Sequence, residues 1–148
     1  MHRVGIVSVG KYLPPKVLTN FDLEKMVDTS DEWITTRTGI KERRISEGEA
    51  ASDLAFKASI QALERANLKP EDIELILVAT ITQDTNFPST ACHLQKHLGA
   101  YKAACFDIAA ACAGYVYALV VAQSLISAGL YENALVVGSE VLSTITDW

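Results

Sequence analysis

The sequence predicts an α/β fold with a mostly parallel sheet and helices on both of its faces. Short apolar runs without alternation, such as Leu75, Ile76, Leu77 and Val78 and then Ala134 to Gly138, are typical of strands covered on both sides. Between such runs lie longer stretches whose apolar residues recur at helical spacing. Strand and helix alternating along one chain point to parallel strands joined by right-handed crossovers.

The elements follow in order. Val4 to Val9 is β-branched and mostly apolar and ends at Gly10, Pro14 and Pro15, the pattern of a buried strand entering a loop. Asn20 is placed to cap a short helix to about Val27. Ser30 caps a second, with Asp31 and Glu32 at its positive end and Gly39 as its stop. From Ser52 to Ala66, the residues Leu54, Ala55, Ala58, Ala62, Leu63 and Ala66 form one apolar face, and Asn67 and Pro70 end that helix. A strand over Ile73–Thr80 follows. Ser89 caps a helix to about Leu98, a strand runs from about Ala103 to Ile108, and a helix from Ala113 to Ala128 closes at Gly129 before the last strand. Ligand sites in such sheets lie beyond the carboxyl ends of the strands, so the turns after Thr80 and Ile108 are where chemistry is expected.

Composition narrows the class. The 148 residues fit one domain, 1–148, and 49% hydrophobic with 21% charged residues is ordinary for a globular protein. A net charge of −5 argues against general affinity for nucleic acid or anionic membrane. No apolar run reaches the roughly 20 residues needed to cross a bilayer, and the N-terminal run is too short for a signal peptide, so a cytoplasmic location is the expectation. The cysteines, Cys92, Cys105 and Cys112, are odd in number and lack the spacing of a zinc site or disulfide framework, which leaves at least one free thiol.

Cys112 is the candidate nucleophile. It lies in Ala109-Ala110-Ala111-Cys112-Ala113-Gly114, at a strand-to-helix turn with no bulky neighbours. There the positive end of a helix favours a charged sulfur, and nearby amides could hold an oxyanion. The same residue reads equally well as one more small buried hydrophobe in a run of alanines. Cys105 in a strand and Cys92 in a helix fit that structural reading better. His93 and His97 share a helix face at a metal-binding spacing, but no third ligand is evident and no metal is expected. Trp33 and Arg37 are one turn apart, a pair able to hold a flat heterocycle by stacking and cation–π contact, although a packed tryptophan covered by an arginine looks the same in sequence. Lys41, Arg43 and Arg44 form the densest basic patch, read first as a solvated face.

The stretch Asp28-Thr29-Ser30-Asp31-Glu32-Trp33-Ile34-Thr35-Thr36-Arg37-Thr38-Gly39-Ile40, followed by Phe87-Pro88-Ser89-Thr90-Ala91-Cys92 and by Ala109 to Gly114, resembles the β-ketoacyl-acyl-carrier-protein synthase III family. The resemblance implies the N-terminal half of a thiolase-like fold, incomplete at Trp148. It also implies an acyltransferase that begins fatty-acid synthesis by condensing an acyl-CoA primer, acetyl-CoA foremost, with malonyl-acyl-carrier protein, losing CoA and CO2. By the same resemblance Cys112 carries the acyl group, Trp33 and Arg37 hold the CoA adenine with Thr29 nearby, and Phe87 reaches the acyl pocket of a twofold-related subunit in a homodimer. The Lys41, Arg43 and Arg44 patch is a weaker candidate for CoA phosphate. No cofactor is implied, since the CoA thioester is a substrate. The family's condensing step uses a histidine, an asparagine and a glycine from a second half, and His93 and His97 do not match that motif. The expectation is therefore a fragment unable by itself to decarboxylate malonyl thioesters. Related readings are a hydroxymethylglutaryl-CoA synthase, a polyketide starter enzyme, or a non-catalytic CoA-binding module.

Overall fold

The computed structural model describes residues 3–147. The chain divides into two compact units, Met1–Tyr12 with Ala50–Glu140, and Leu13–Glu49 with Val141–Trp148.

The larger unit is built on three parallel strands in the order β4-β3-β5: β3 (Leu75–Ala79), β4 (Ala104–Ile108) and β5 (Leu135–Gly138). Leu75 pairs with Ala104 on one side of β3, and Ile76 pairs with Leu135 on the other. Every residue of the central strand is buried, as its unbroken apolar sequence predicts. Its side chains alternate between two cores. Ile76 and Val78 pack with Ala55 and Leu63 of α3 (Ala51–Ala66) and with Leu94 and Leu98 of α4 (Thr90–Leu98). Leu75, Leu77 and Ala79 face Ala118 and Ala122 of α5 (Gly114–Ser127). Burying a side chain of this size contributes about 1.5–3 kcal/mol, so this one strand anchors both layers.

The helix limits follow local chemistry. Ser89 Oγ accepts the Cys92 amide at the start of α4, and Gly99 ends it in the left-handed conformation at φ 75°. Asn67 does the same for α3 at φ 54°. Two carboxylates supply caps from distant segments. Asp84 Oδ1 accepts the Ser52 amide at the start of α3, and Asp107 of β4 accepts the amides of Thr90 and Ala91 at 2.7 Å each.

Val4–Val9 is the main departure from the sequence expectation, for it forms no strand. Its end lies against α3, with Ser8 Oγ donating to the Ala62 carbonyl and Arg65 Nη1 donating to the Val9 carbonyl, both at 2.7 Å. Ile6 and Val7 are 76% and 81% exposed, so the residues that looked buried are not. β-Branched composition makes a segment fit for a strand, but a ladder needs a neighbouring backbone, and none of the described strands pairs with this one. At Gly10 the chain crosses α3 so closely that a Cβ would lie 2.1 Å from the Ala58 carbonyl oxygen, which only glycine permits.

The smaller unit pairs β1 (Lys16–Thr19) with β2 (Glu42–Ile45) antiparallel, neither of which the sequence pattern reveals. Between them lie α1 (Asn20–Leu23) and α2 (Asp31–Thr38). Thr19, not Asn20, caps α1, through a reciprocal pair in which Thr19 Oγ1 accepts the Asp22 amide and Asp22 Oδ2 accepts the Thr19 amide. Asn20 is instead fully buried. Its Nδ2 donates to Asp31 Oδ1 and the Ile40 carbonyl at 2.8 Å, and its Oδ1 accepts from Arg43. One amide thus ties α1, α2 and β2 together, and its hydrogen bonds offset the cost of taking it out of water.

Candidate active site

Cys112 sits where the sheet chemistry was expected, in the turn beyond the carboxyl end of β4. Residues Ala111–Ala113 form a single 3-10 turn that leads directly into α5, and Cys112 is exposed. The turn lies close over the strand ends: a Cβ on Gly114 would come within 3.3 Å of Ala79 Cβ and 3.4 Å of the Ile108 carbonyl oxygen. Ala111, immediately before the thiol, takes φ 45°, a left-handed conformation that an L-residue with a Cβ adopts at a cost of roughly 1–2 kcal/mol. Such strain collects at sites where the surrounding structure fixes one side chain's direction.

The expected oxyanion amides are only partly available. The Ala113 amide donates to the Ala110 carbonyl and the Gly114 amide to the Ala111 carbonyl, so the turn itself uses both. The Cys112 amide makes no such turn bond among the described residues.

Around the turn, Glu140 anchors the loop that leaves β3. Its Oε1 accepts the Ile81 amide at 2.9 Å, and Oε2 accepts Thr82 Oγ1 at 2.6 Å and Thr80 Oγ1 at 3.4 Å. No motif or spacing in the sequence singles out Glu140. Its place just past the end of β5 was the one available signal. Further along the same loop, Phe87 is 91% exposed. The remaining cysteines are half-buried, with Cys105 Sγ 3.5 Å from Cys92 Sγ. The helix histidines diverge: His93 Nε2 lies 3.0 Å from Thr85 Oγ1, and His97 Nδ1 lies 3.9 Å from Asp53.

In the smaller unit, α2 carries the other candidates. Ser30 caps it and Gly39 closes it at φ 72°, as the sequence predicts. The Arg37 guanidinium lies over the Trp33 ring at 4.5 Å, with both side chains exposed. A flat ring held between the two needs about 7 Å, two contacts of about 3.5 Å, so Arg37 must swing outward to admit one. An open recess beside the indole is lined by Asp28, Thr29, Ser30 and Trp33. Of the basic patch, Arg43 is committed to Asn20, and Arg44 reaches the Pro14 carbonyl and Glu42.

Comparisons with known proteins agree on the fold and on the relatives. The 3-oxoacyl-[acyl-carrier-protein] synthase III family profile matches residues 106–148. A β-ketoacyl-[acyl-carrier-protein] synthase III from Caldanaerobacter subterraneus subsp. tengcongensis is 63% identical over 97% of this chain and 44% of its own length. The 3-oxoacyl-[acyl-carrier-protein] synthase III structure from Aquifex aeolicus VF5 superposes with a TM-score of 0.93 at 56% identity, covering 97% of this chain and 46% of that one. The priming β-ketosynthase of the R1128 polyketide pathway superposes at 0.92 with 36% identity, over 96% of this chain and 43% of that one. The chain therefore spans a little under half the length of these proteins.

The fold is that of the thiolase-like condensing enzymes. Within that class the relatives reported above include β-ketoacyl-acyl-carrier-protein synthase III proteins, which the chain resembles over a little under half of their length.

Proposed function

We propose that the whole protein is an acyltransferase that starts fatty-acid synthesis, with Cys112 as its acyl-accepting nucleophile. The observation that carries this reading is the position of Cys112: an exposed thiol after a left-handed alanine, in the turn over the ends of β3 and β4, at the head of α5. In the first half-reaction the sulfur attacks the thioester carbonyl of an acyl-CoA primer, the tetrahedral oxyanion gathers at the Cys112 amide, and CoA leaves as its thiol. In the second, malonyl-acyl-carrier protein loses CO2 and the resulting carbanion takes the acyl group from sulfur. The CoA thioester is a substrate, and no cofactor or metal takes part.

The nucleotide end of CoA falls to α2. Trp33 offers a stacking face, Arg37 a guanidinium that can close over the opposite face, and Thr29 a hydroxyl at the rim. Phe87, almost wholly exposed, serves as the residue given to a second subunit's acyl pocket in a homodimer. The location is cytoplasmic, with neither nucleic acid nor membrane as partner, in keeping with the acidic net charge. Among the described residues no helix is long and apolar enough to cross a membrane.

The test is incubation of the protein with acetyl-CoA, followed by mass spectrometry of the Cys112 peptide. Gain of one acetyl group on Cys112, absent in Cys112→Ala, is the expected result. The absence of an adduct with any acyl-CoA overturns the mechanism and favours a CoA-binding module. A second reading, a polyketide priming enzyme, is favoured by the likeness to the R1128 ketosynthase. Preference for longer primers over acetyl-CoA would select it.

A further inference from the structure

The Cys92–Cys105 pair is held together by a geometry that does not depend on the thiols. Cys105 and Asp107 are two residues apart on β4, so their side chains leave the same face of the strand. Asp107 accepts the amides of Thr90 and Ala91 and so fixes the first turn of α4 against that face. Cys92, the next residue of the turn, is thereby set over Cys105 with 3.5 Å between sulfurs. Ser89 Oγ–H donates to Cys92 Sγ at 3.2 Å from the opposite side. Both cysteines are half-buried rather than sealed in the core.

We propose that Cys92 and Cys105 are a modification site: a dithiol that a hydroperoxide converts to an intrachain disulfide, fastening the start of α4 to β4. The chemistry balances in two steps. Cys92 sulfur takes one oxygen from the hydroperoxide, becoming a sulfenic acid while the peroxide is reduced to alcohol or water. The Cys105 sulfur then displaces that hydroxyl, the S–S bond forms, and a second water leaves with the Cys105 proton. Cys92 is the sulfur that attacks the peroxide oxygen, because Cys105 keeps its proton: burial, then the adjoining Cys92 thiol and the Asp107 charge, push its pKa up to about 12. The site is separate from the proposed acyl-accepting thiol and does not require Cys112.

The experiment uses the full chain with Cys112→Ala, which removes the exposed thiol as a competitor and leaves the pair untouched. After treatment with hydrogen peroxide and blocking of remaining thiols, intact mass should fall by two hydrogen atoms. Proteolysis should yield a Cys92 peptide joined to a Cys105 peptide, and dithiothreitol should reverse both changes. With Cys105→Ser added, dimedone should label Cys92. Products that only gain oxygen, or disulfides that join separate chains, overturn the proposal. Dimedone labelling of Cys105 in the Cys92→Ser chain, with none on Cys92 in the Cys105→Ser chain, overturns the assigned order.

Discussion

Asp107 Oδ2 accepts the Thr90 amide at 2.7 Å, a bond that joins β4 to the first turn of α4, the helix that precedes it in the chain. With Oδ1 on the Ala91 amide, the carboxylate serves as a cap delivered from another element. Hydrogen bonds to a charged group contribute about 1.5–3 kcal/mol. Asp107→Asn keeps the shape but replaces one acceptor with a donor facing another donor. A loss of about 2 kcal/mol in unfolding free energy is expected, read from the denaturant midpoint.

In the smaller unit the Asp22 carboxyl is drawn down from 3.8 to about 2, first by the Thr19 hydroxyl, then by the Thr19 amide and by Lys25. A lowered folded-state pKa stabilises the fold above the unfolded value, and that contribution disappears as pH falls from about 3.8 through about 2. Asp22→Asn should therefore abolish the part of the acid unfolding curve that lies in this window. An unchanged curve would mean that the cap makes no contribution.

Cys105 gives the opposite sign. Its folded-state pKa is raised from 9.0 to about 12, so the unfolded chain releases its proton first as pH climbs. The stabilisation is fully present below about pH 9 and is lost progressively toward pH 12. Cys105→Ala should flatten the alkaline side of the stability profile. Iodoacetamide titration should reach Cys112, which is exposed, well before Cys105.

Trp33→Ala removes the stacking face proposed for adenine. Aromatic–base stacking contributes about 1–3 kcal/mol, so the dissociation constant for CoA should rise by roughly 5- to 150-fold. Because the side chain is half exposed and on the open side of α2, the melting temperature should move little. Titration calorimetry with CoA measures the first effect, and unchanged affinity removes Trp33 from the site.

Local signals proved to be the legible ones. Ser30, Ser89, Gly39 and Asn67 mark helix ends with chemistry that acts within a few residues, and the structure places each where the sequence predicts. The buried run of β3 was equally plain, since it has no polar residue to turn outward. Pairing was not legible. Val4–Val9 has strand composition without a strand partner, whereas Glu42–Ile45 looks like a charged surface but pairs with β1 through backbone groups. Arg43 and Arg44 find Asn20 and the Pro14 carbonyl, partners 23 and 30 residues away that no spacing rule reaches. At the candidate site the small neighbours of Cys112 left its exposure open, which the structure resolves, and the meeting of Cys92 with Cys105 depends on strand and helix packing, 13 residues apart in the chain.

The left-handed backbone at Ala111 restricts the directions open to the neighbouring sulfur. A glycine there would relieve the strain but would sample many turn shapes, of which only some direct the thiol outward. Alanine reaches the same shape with effort and has fewer alternatives once there. The turn therefore trades ease of folding for a narrow distribution of sulfur positions.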